Sequence, residues 1–421
     1  MNRFLQHYFR YKIALLATVI SVPLGIEIAS AQAPVEATNI KVSQFIEMAK
    51  QSNLQIEGAR QDVIASDAGL ITARALPNPE LEFTPGAASA RTGNSGASAA
   101  FGIVQPIERP SFRQAKQDLA NSRIALAQSN QKVVEAFIID QVRRRAVETV
   151  RAQEELAAVT EDLQIARQIA ERVRVRARTG EAPRFDLMRA EAEVAVVQKN
   201  FESAQSKVRQ TKIELQQAVG RTLPANFNVE VDAALNALLA ENDYQLLRLT
   251  VAELNPELAA ARKETDRNVM VTELERRSVL PQFSIRAQHE REPDISFNRI
   301  GVQLSIPFFN KREGPIAEAM ALTKRSQILA QARQYELENS FDAAWTAYIS
   351  AQRQVRAFED GILDRSRGVL DVAEAAYRLG ERGILEYLDA QRQFRLVRND
   401  LVVARYNLLI TRTQLERLAG R

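Results

Sequence analysis

The chain has 421 residues and no cysteine, which excludes disulfides, thiolate metal sites and a lipid-modified N-terminal cysteine. Aromatic residues are sparse, 6% against 46% hydrophobic. Alanine and valine therefore carry the apolar load, a balance that suits long helices better than a deep globular core. Beyond the N-terminal segment no stretch is apolar enough for a transmembrane helix, so a membrane-spanning role would have to use strands. Catalytic signatures are missing too: there is no Gly-x-Ser-x-Gly, no P-loop and no Gly-x-Gly-x-x-Gly. Gly86, Gly93, Gly96 and Gly102 read as hairpin-loop and strand residues rather than a phosphate cradle. His289, in an expected strand, is the only histidine outside the N-terminal segment. No catalytic residue, no cofactor and no dedicated metal site is expected, and the protein is not read as an enzyme.

What is present begins with MNRFLQHYFRYKIALLATVISVPLGIEIASAQA. Arg3, Arg10 and Lys12 form a basic region, residues 13–26 an apolar stretch, and Ala31-Gln32-Ala33 a small-residue cleavage site. The apolar stretch is shorter than the about 20 residues of a membrane span, so 1–33 is expected to be a cleaved signal peptide. Its removal takes away three basic residues and Glu27, lowering the formal net charge from +4 to about +2. The pI near 9.3 therefore marks no nucleic-acid patch.

The rest is written twice. Gly180-Glu181 aligns with Gly380-Glu381, and Val219-Gly220-Arg221 with Ala419-Gly420-Arg421, at a constant offset. Pro106 matches Pro307, and Leu76-Pro77-Asn78 matches Leu280-Pro281-Gln282. Two repeats, 34–221 and 244–421, are expected, joined by a linker at 222–243. Each should run helix, two strands, very long helix, break, long helix. The first helices are expected at 43–74 and 251–277, each ending before a proline that cannot continue it.

The strand pairs, about 79–106 and 281–307, show period two. Phe283, Ile285 and Ala287 alternate with Ser284, Arg286 and Gln288; Ile300, Val302, Leu304 and Ile306 alternate with Arg299, Gly301, Gln303 and Ser305. Strands of this length can cross a bilayer when tilted, although a half-exposed soluble sheet would alternate in the same way. Four strands cannot close a barrel, and an open edge is forbidden in lipid. A membrane reading therefore requires several chains to share one barrel.

The long helices carry 3,4 spacing. Leu156, Val159, Leu163, Ala166, Ala170, Val173 and Ala177 form one seam; Val194, Val197, Phe201, Ala204, Val208, Thr211, Leu215 and Ala218 form another. Phe394, Val397, Leu401, Ala404, Leu408, Thr411, Leu415 and Leu418 repeat the second. Such heptads predict left-handed coiled coils. A helix over 111–178 would be about 100 Å long, so the helices flanking Gly180, and those flanking Gly380, must fold back as antiparallel hairpins. At the second turn Glu386 and Asp389 share a helix face; the first has Asp186 but Arg189.

At these residues the chain resembles the outer membrane efflux protein family, the trimeric channels typified by TolC. The resemblance rests on the duplicated layout, on Ala75-Leu76-Pro77-Asn78-Pro79-Glu80-Leu81, on Gln105-Pro106-Ile107-Glu108, and on Ser305-Ile306-Pro307-Phe308-Phe309-Asn310-Lys311-Arg312. These motifs look most like the CzcC-like branch serving heavy-metal and cation pumps. Arg109-Pro110-Ser111, where many relatives carry glycines, is a departure.

The resemblance implies a mainly α fold with a small β part. Three chains would share a twelve-stranded outer-membrane barrel, above a coiled-coil α-barrel that extends into the periplasm of a Gram-negative bacterium. Residues 40–48 and the linker would form a belt around it. The implied function is the passive exit duct of a tripartite efflux system for cations, heavy metals or other small toxic compounds. Its partners would be two further copies, a periplasmic adaptor, an inner-membrane pump and outer-membrane lipid.

The resemblance further implies an acidic gate ring at Glu386 and Asp389. It places a latch at Tyr377 and Arg382 with Asp186 as the matching acid, and adaptor docking at Thr179, Gly180, Glu181, Leu379, Gly380 and Glu381. Plainer readings stand beside these: a solvated acidic helix face, a surface ion pair worth little, and glycines that simply end helices. A duct for drugs or exported proteins is the nearest alternative. A periplasmic coiled-coil adaptor is further away, because it would carry one hairpin rather than two plus two strand pairs.

Overall fold

The computed structural model describes residues 38–420 except 90, 222, 225 and 241. The expected signal peptide lies outside the described residues. The first copy runs β1 (Thr38–Lys41), α1 (Val42–Ser52), α2 (Leu54–Arg74), β2 (Glu80–Ala88), β3 (Gly96–Ile107), α3 (Pro110–Arg178) and α4 (Arg184–Val219). After β4 (Phe227–Glu230) and the short α5 (Ala233–Asn236) comes the second copy: α6 (Asp243–Leu254), α7 (Pro256–Ser278), β5 (Gln282–Arg291), β6 (Ser296–Ser305), α8 (Glu313–Ala357), α9 (Leu363–Leu379) and α10 (Ile384–Leu418). The fold is mainly helical with a small β part, built on a duplicated plan.

Three features depart from the sequence reading. The helix expected over 43–74 is broken at Asn53, and the one expected over 251–277 begins earlier and is broken at Asn255. Both asparagines take extended backbone and cap the following helix: Asn53 Oδ1 accepts from Gln55 N–H, and Asn255 Oδ1 from Glu257 and Leu258 N–H. Asparagine competes with helix backbone for hydrogen bonds and so favours caps over interiors. In the second copy the very long helix is also interrupted, by a π-helical turn at Phe358–Ile362 in which Gly361 has φ 140°. Its counterpart α3 runs unbroken for 69 residues. Finally, β1 pairs in parallel with β4, a ladder the sequence did not announce. It brings Ile40 and Val229 into one core with Phe45, Ile138, Val142 and Leu215, so residues near 40 and the linker meet midway along α3.

The coiled-coil hairpins form where the heptads place them: α3 packs on α4, and α10 on α8 and α9. Leu163, Ala166, Ala170 and Val173 of α3 and Val197, Val208, Leu215 and Ala218 of α4 are buried. Alanines let the helices approach closely, while each larger seam residue contributes about 1.5–3 kcal/mol through burial.

The four long strands form one antiparallel sheet in the order β2-β3-β5-β6. Register places Leu81, Ile103, Ala287 and Ile300 in one cross-strand row and Phe83, Phe101, His289 and Asn298 in the next. On this face Ile300 is 85% exposed and Leu81 and Val302 71%. At one end of the sheet Asn94 bonds Asp294 through its backbone and side-chain N–H groups at 2.9 and 2.8 Å, tying the two hairpin loops. The outer edges of β2 and β6 have no strand partner among the described residues.

Candidate functional site: the helical hairpin tips

Both tips are built alike because the chain must leave α-helix at the same place. Gly180 (φ 82°) and Gly380 (φ 78°) take the left-handed conformation that only glycine adopts freely. Glu181 N–H then bonds the Arg176 carbonyl at 2.8 Å, and Glu381 N–H the Ala376 carbonyl at 2.9 Å, the same Schellman closure in each copy. Pro183 and Gly383 begin the return helices. Thr179, Gly180, Glu181, Leu379, Gly380 and Glu381 are all exposed, Leu379 by 75%.

In the first turns of α10 the two faces separate cleanly. Ile384, Tyr387, Leu388 and Gln391 are buried against the first hairpin's Ile169, Ala170, Val173 and Ala190 and against Leu370. Glu386 and Asp389 therefore share the opposite, exposed face. Each has a local basic partner: Arg382 Nη1 lies 3.3 Å from Glu386, and Arg392 Nη1 lies 3.6 Å from Asp389. At these exposures such pairs are worth little.

The expected latch residues are only partly brought together within the chain. The Tyr377 ring stacks on Tyr387 (centroids 5.7 Å apart, 15° between planes), and the guanidinium of Arg176 sits 5.5 Å above Tyr377. Tyr377 thus does meet the first hairpin, at Arg176 of α3. Arg382 pairs with Glu386 in its own hairpin, and among the described residues no ion pair joins it to half-buried Asp186.

Sequence reasoning missed what fastens the hairpins together above the tips. Glu193 of α4, only 5% exposed, accepts from Arg392 at 2.7 Å and also from Arg395, both on α10. Asp162 of α3 accepts from Arg398 at 2.6 Å, and Arg398 also bonds the Ala158 carbonyl. Burial pulls the Glu193 carboxyl upward, but the two arginines together outweigh it and hold it below the usual range. At Asp162 burial wins over Arg398, and the carboxyl is pushed up. In sequence Glu193 only adjoins the seam residue Val194, and the arginines spaced by three on α10 carry no mark of their partner. Burial also pushes the Tyr387 phenol up. Among the described residues no group of His, Asp and Glu is placed to hold a metal ion.

Comparison with known proteins agrees with this architecture. The outer membrane efflux protein family model matches residues 45–221 and again 247–421, one match per copy. The cobalt-zinc-cadmium resistance protein CzcC of Cupriavidus metallidurans is 24% identical over 349 residues, covering 82% of each chain. Among solved structures, CusC superposes with a TM-score of 0.75 at 17% identity over 90% of this chain and 92% of that one. The outer membrane protein VceC of Vibrio cholerae gives 0.72 at 15% over 90% and 96%. With both copies matched by the family model and the whole fold shared, the chain belongs to the outer membrane efflux protein family, as an efflux channel of the outer membrane and not an enzyme.

Proposed function

We propose that three copies of this chain form the passive exit duct of a tripartite efflux system, and that its cargo includes heavy-metal cations. The observation that carries the reading is the open four-stranded sheet, with one apolar face exposed and the outer edges of β2 and β6 unpaired among the described residues. Lipid does not tolerate an open edge, so the sheet is complete only when copies join edge to edge. Three sheets give twelve strands, and the long hairpins continue the duct into the periplasm. The tips at Thr179–Glu181 and Leu379–Glu381, with exposed Leu379, suit docking by an adaptor's own helical hairpin, and an inner-membrane pump would supply the energy. The likeness to a cobalt-zinc-cadmium resistance protein supports metal cations as cargo.

Two measurements test this. Fractionation should recover the mature chain as a trimer in the outer membrane, and the purified trimer should conduct in planar bilayers. Recovery as a soluble periplasmic monomer would sink the duct. Loss of the gene should sensitise cells to cobalt, zinc or cadmium; sensitivity only to organic drugs would reassign the cargo while leaving the duct standing.

A further inference from the structure

The sheet face opposite the exposed aliphatic rows is charged, and its charges are arranged. Arg286 on β5 donates through Nη2 to Glu82 Oε1 on β2 at 3.1 Å and to Gln303 Oε1 on β6 at 3.3 Å. Further along, Arg299 on β6 donates to Glu290 on β5 at 2.8 Å. Glu82 and Arg286 do not sit on neighbouring strands, because β3 runs between them. At the crossing β3 carries Gly102, directly opposite Glu82. A Cβ there would lie 3.6 Å from Glu82 Oε2, so with glycine at this position no side chain of β3 stands beside the acid. The bridge is thus built from three strands: an acid, a gap and a base. Both ends remain wet, with Glu82 41% and Arg286 37% exposed.

A charged row has one tenable place in a membrane sheet. The aliphatic face belongs to lipid, so this face lines water. We infer that Glu82, Arg286, Glu290 and Arg299 form a charge-compensated girdle around the barrel lumen that sets the ion preference of the β part of the duct, separately from the carboxylates at the helical tips. The inference rests on the trimeric duct proposed above. In a trimer the girdle holds three copies of each bridge, and Arg286 cancels the charge Glu82 would otherwise present to permeating ions. Removing either partner leaves three unopposed charges of known sign around the pore. One such charge about 7 Å from an ion in water interacts with an energy close to RT, so the cation-to-anion permeability ratio should move by about threefold or more.

The test is the reversal potential of the purified full-length trimer in a potassium chloride gradient across a planar bilayer. It is recorded in the Glu386→Ala/Asp389→Ala background so that the tip acids do not mask the barrel. Arg286→Gln should shift selectivity toward potassium, Glu82→Gln toward chloride, and the double variant should return to the parent value. If the parent trimer inserts and conducts but Glu82→Gln and Arg286→Gln both keep its reversal potential, the girdle is overturned. Shifts of the same sign in both would overturn it too. Should Arg286→Gln fail to assemble, the near-isosteric Glu82→Gln decides alone: a shift toward chloride supports the girdle and no shift removes it. A parent chain that inserts in no membrane and forms no trimer is a different failure, that of the duct.

Discussion

Asn53 and Asn255 perform the same pair of tasks, one in each copy of the repeat. Each caps the helix that follows it, and each donates its side-chain N–H to the end of its copy's last helix: Asn53 to the Ala218 carbonyl at 2.9 Å, Asn255 to the Leu418 carbonyl at 3.0 Å. One amide thus joins the beginning and end of a unit far apart in sequence. Replacing Asn255 with alanine should remove a helix cap, about 1 kcal/mol, and orphan a buried carbonyl, about another 1 kcal/mol. Asn255→Asp, which keeps the acceptor and loses the donor, should fall between. Thermal unfolding of the three proteins checks this, and equal stability of Asn255→Ala and the parent would refute the clamp.

Two glycines of positive φ, one at a hairpin tip and one beside the Asn255 clamp, predict a second contrast. Gly180 and Gly420 both have positive φ, 82° and 75°. A Cβ on Gly180 would meet nothing within 4 Å, whereas one on Gly420 would lie 2.5 Å from the Leu254 carbonyl oxygen. Gly180→Ala should therefore cost only the left-handed conformation, about 1–2 kcal/mol. Gly420→Ala must also push apart two backbone segments and should lower the melting temperature clearly further. Equal losses would show that the close approach of the chain ends to α6 does not matter.

Acid should loosen the contact between the hairpins through Glu193. Its carboxyl is held below the ordinary value of 4.5 in the folded chain. Its contribution is therefore fully present above that ordinary value and is lost as pH falls through the lowered one. The groups facing it are Arg392 and Arg395 on α10 and Asp162 on α3. Asp162, pushed above 3.8 mainly by burial, works with the opposite sign: ionising it costs stability as pH rises past that value. Comparing the parent with Glu193→Gln isolates the first effect. The stability gap between them should be widest above pH 4.5 and close on the acid side, as read by thermal unfolding or by protease access to the tips. A gap independent of pH would mean that the buried pair contributes by packing rather than by charge.

In the trimeric duct proposed above, Glu386 and Asp389 would bring six carboxylates to one mouth, and these should bind multivalent cations. Replacing Glu386 and Asp389 with alanine is expected to weaken block by such cations in planar bilayers, while Asp186→Asn, in the other hairpin, should leave block intact. Because Arg382 and Arg392 already lie beside the two acids, Arg382→Gln should strengthen block modestly. Unchanged block in the double alanine variant would remove the acidic ring.

Much of the architecture can be read from spacing alone. The 3,4 seams through Leu163, Ala166 and Ala170 and through Val197, Val208 and Leu215 became buried helix contacts, because a heptad stripe has no other way to leave water. The alternation at Phe283–Gln288 and Arg299–Ser305 became β5 and β6, since a period of two is the strand's own geometry. The site was less legible. Glu193 and Arg395 lie on different hairpins and look like ordinary surface residues in sequence; only packing makes them partners. The stacking of Tyr377 on Tyr387 beneath Arg176 is likewise a contact determined by how the hairpins lean together.

Local chemistry, then, was enough to announce two copies, their helices and strands, and both glycine turns, because periodicity, caps and left-handed backbone depend on neighbours in the chain. The reach of Asn53 and Asn255 to the Ala218 and Leu418 carbonyls, the β1–β4 ladder, the Glu82–Arg286 bridge across Gly102 and the arginine clasp on Glu193 were settled only by folding. Each depends on which distant backbone or charge arrives within hydrogen-bonding reach, and a sequence read along its length holds no record of that distance.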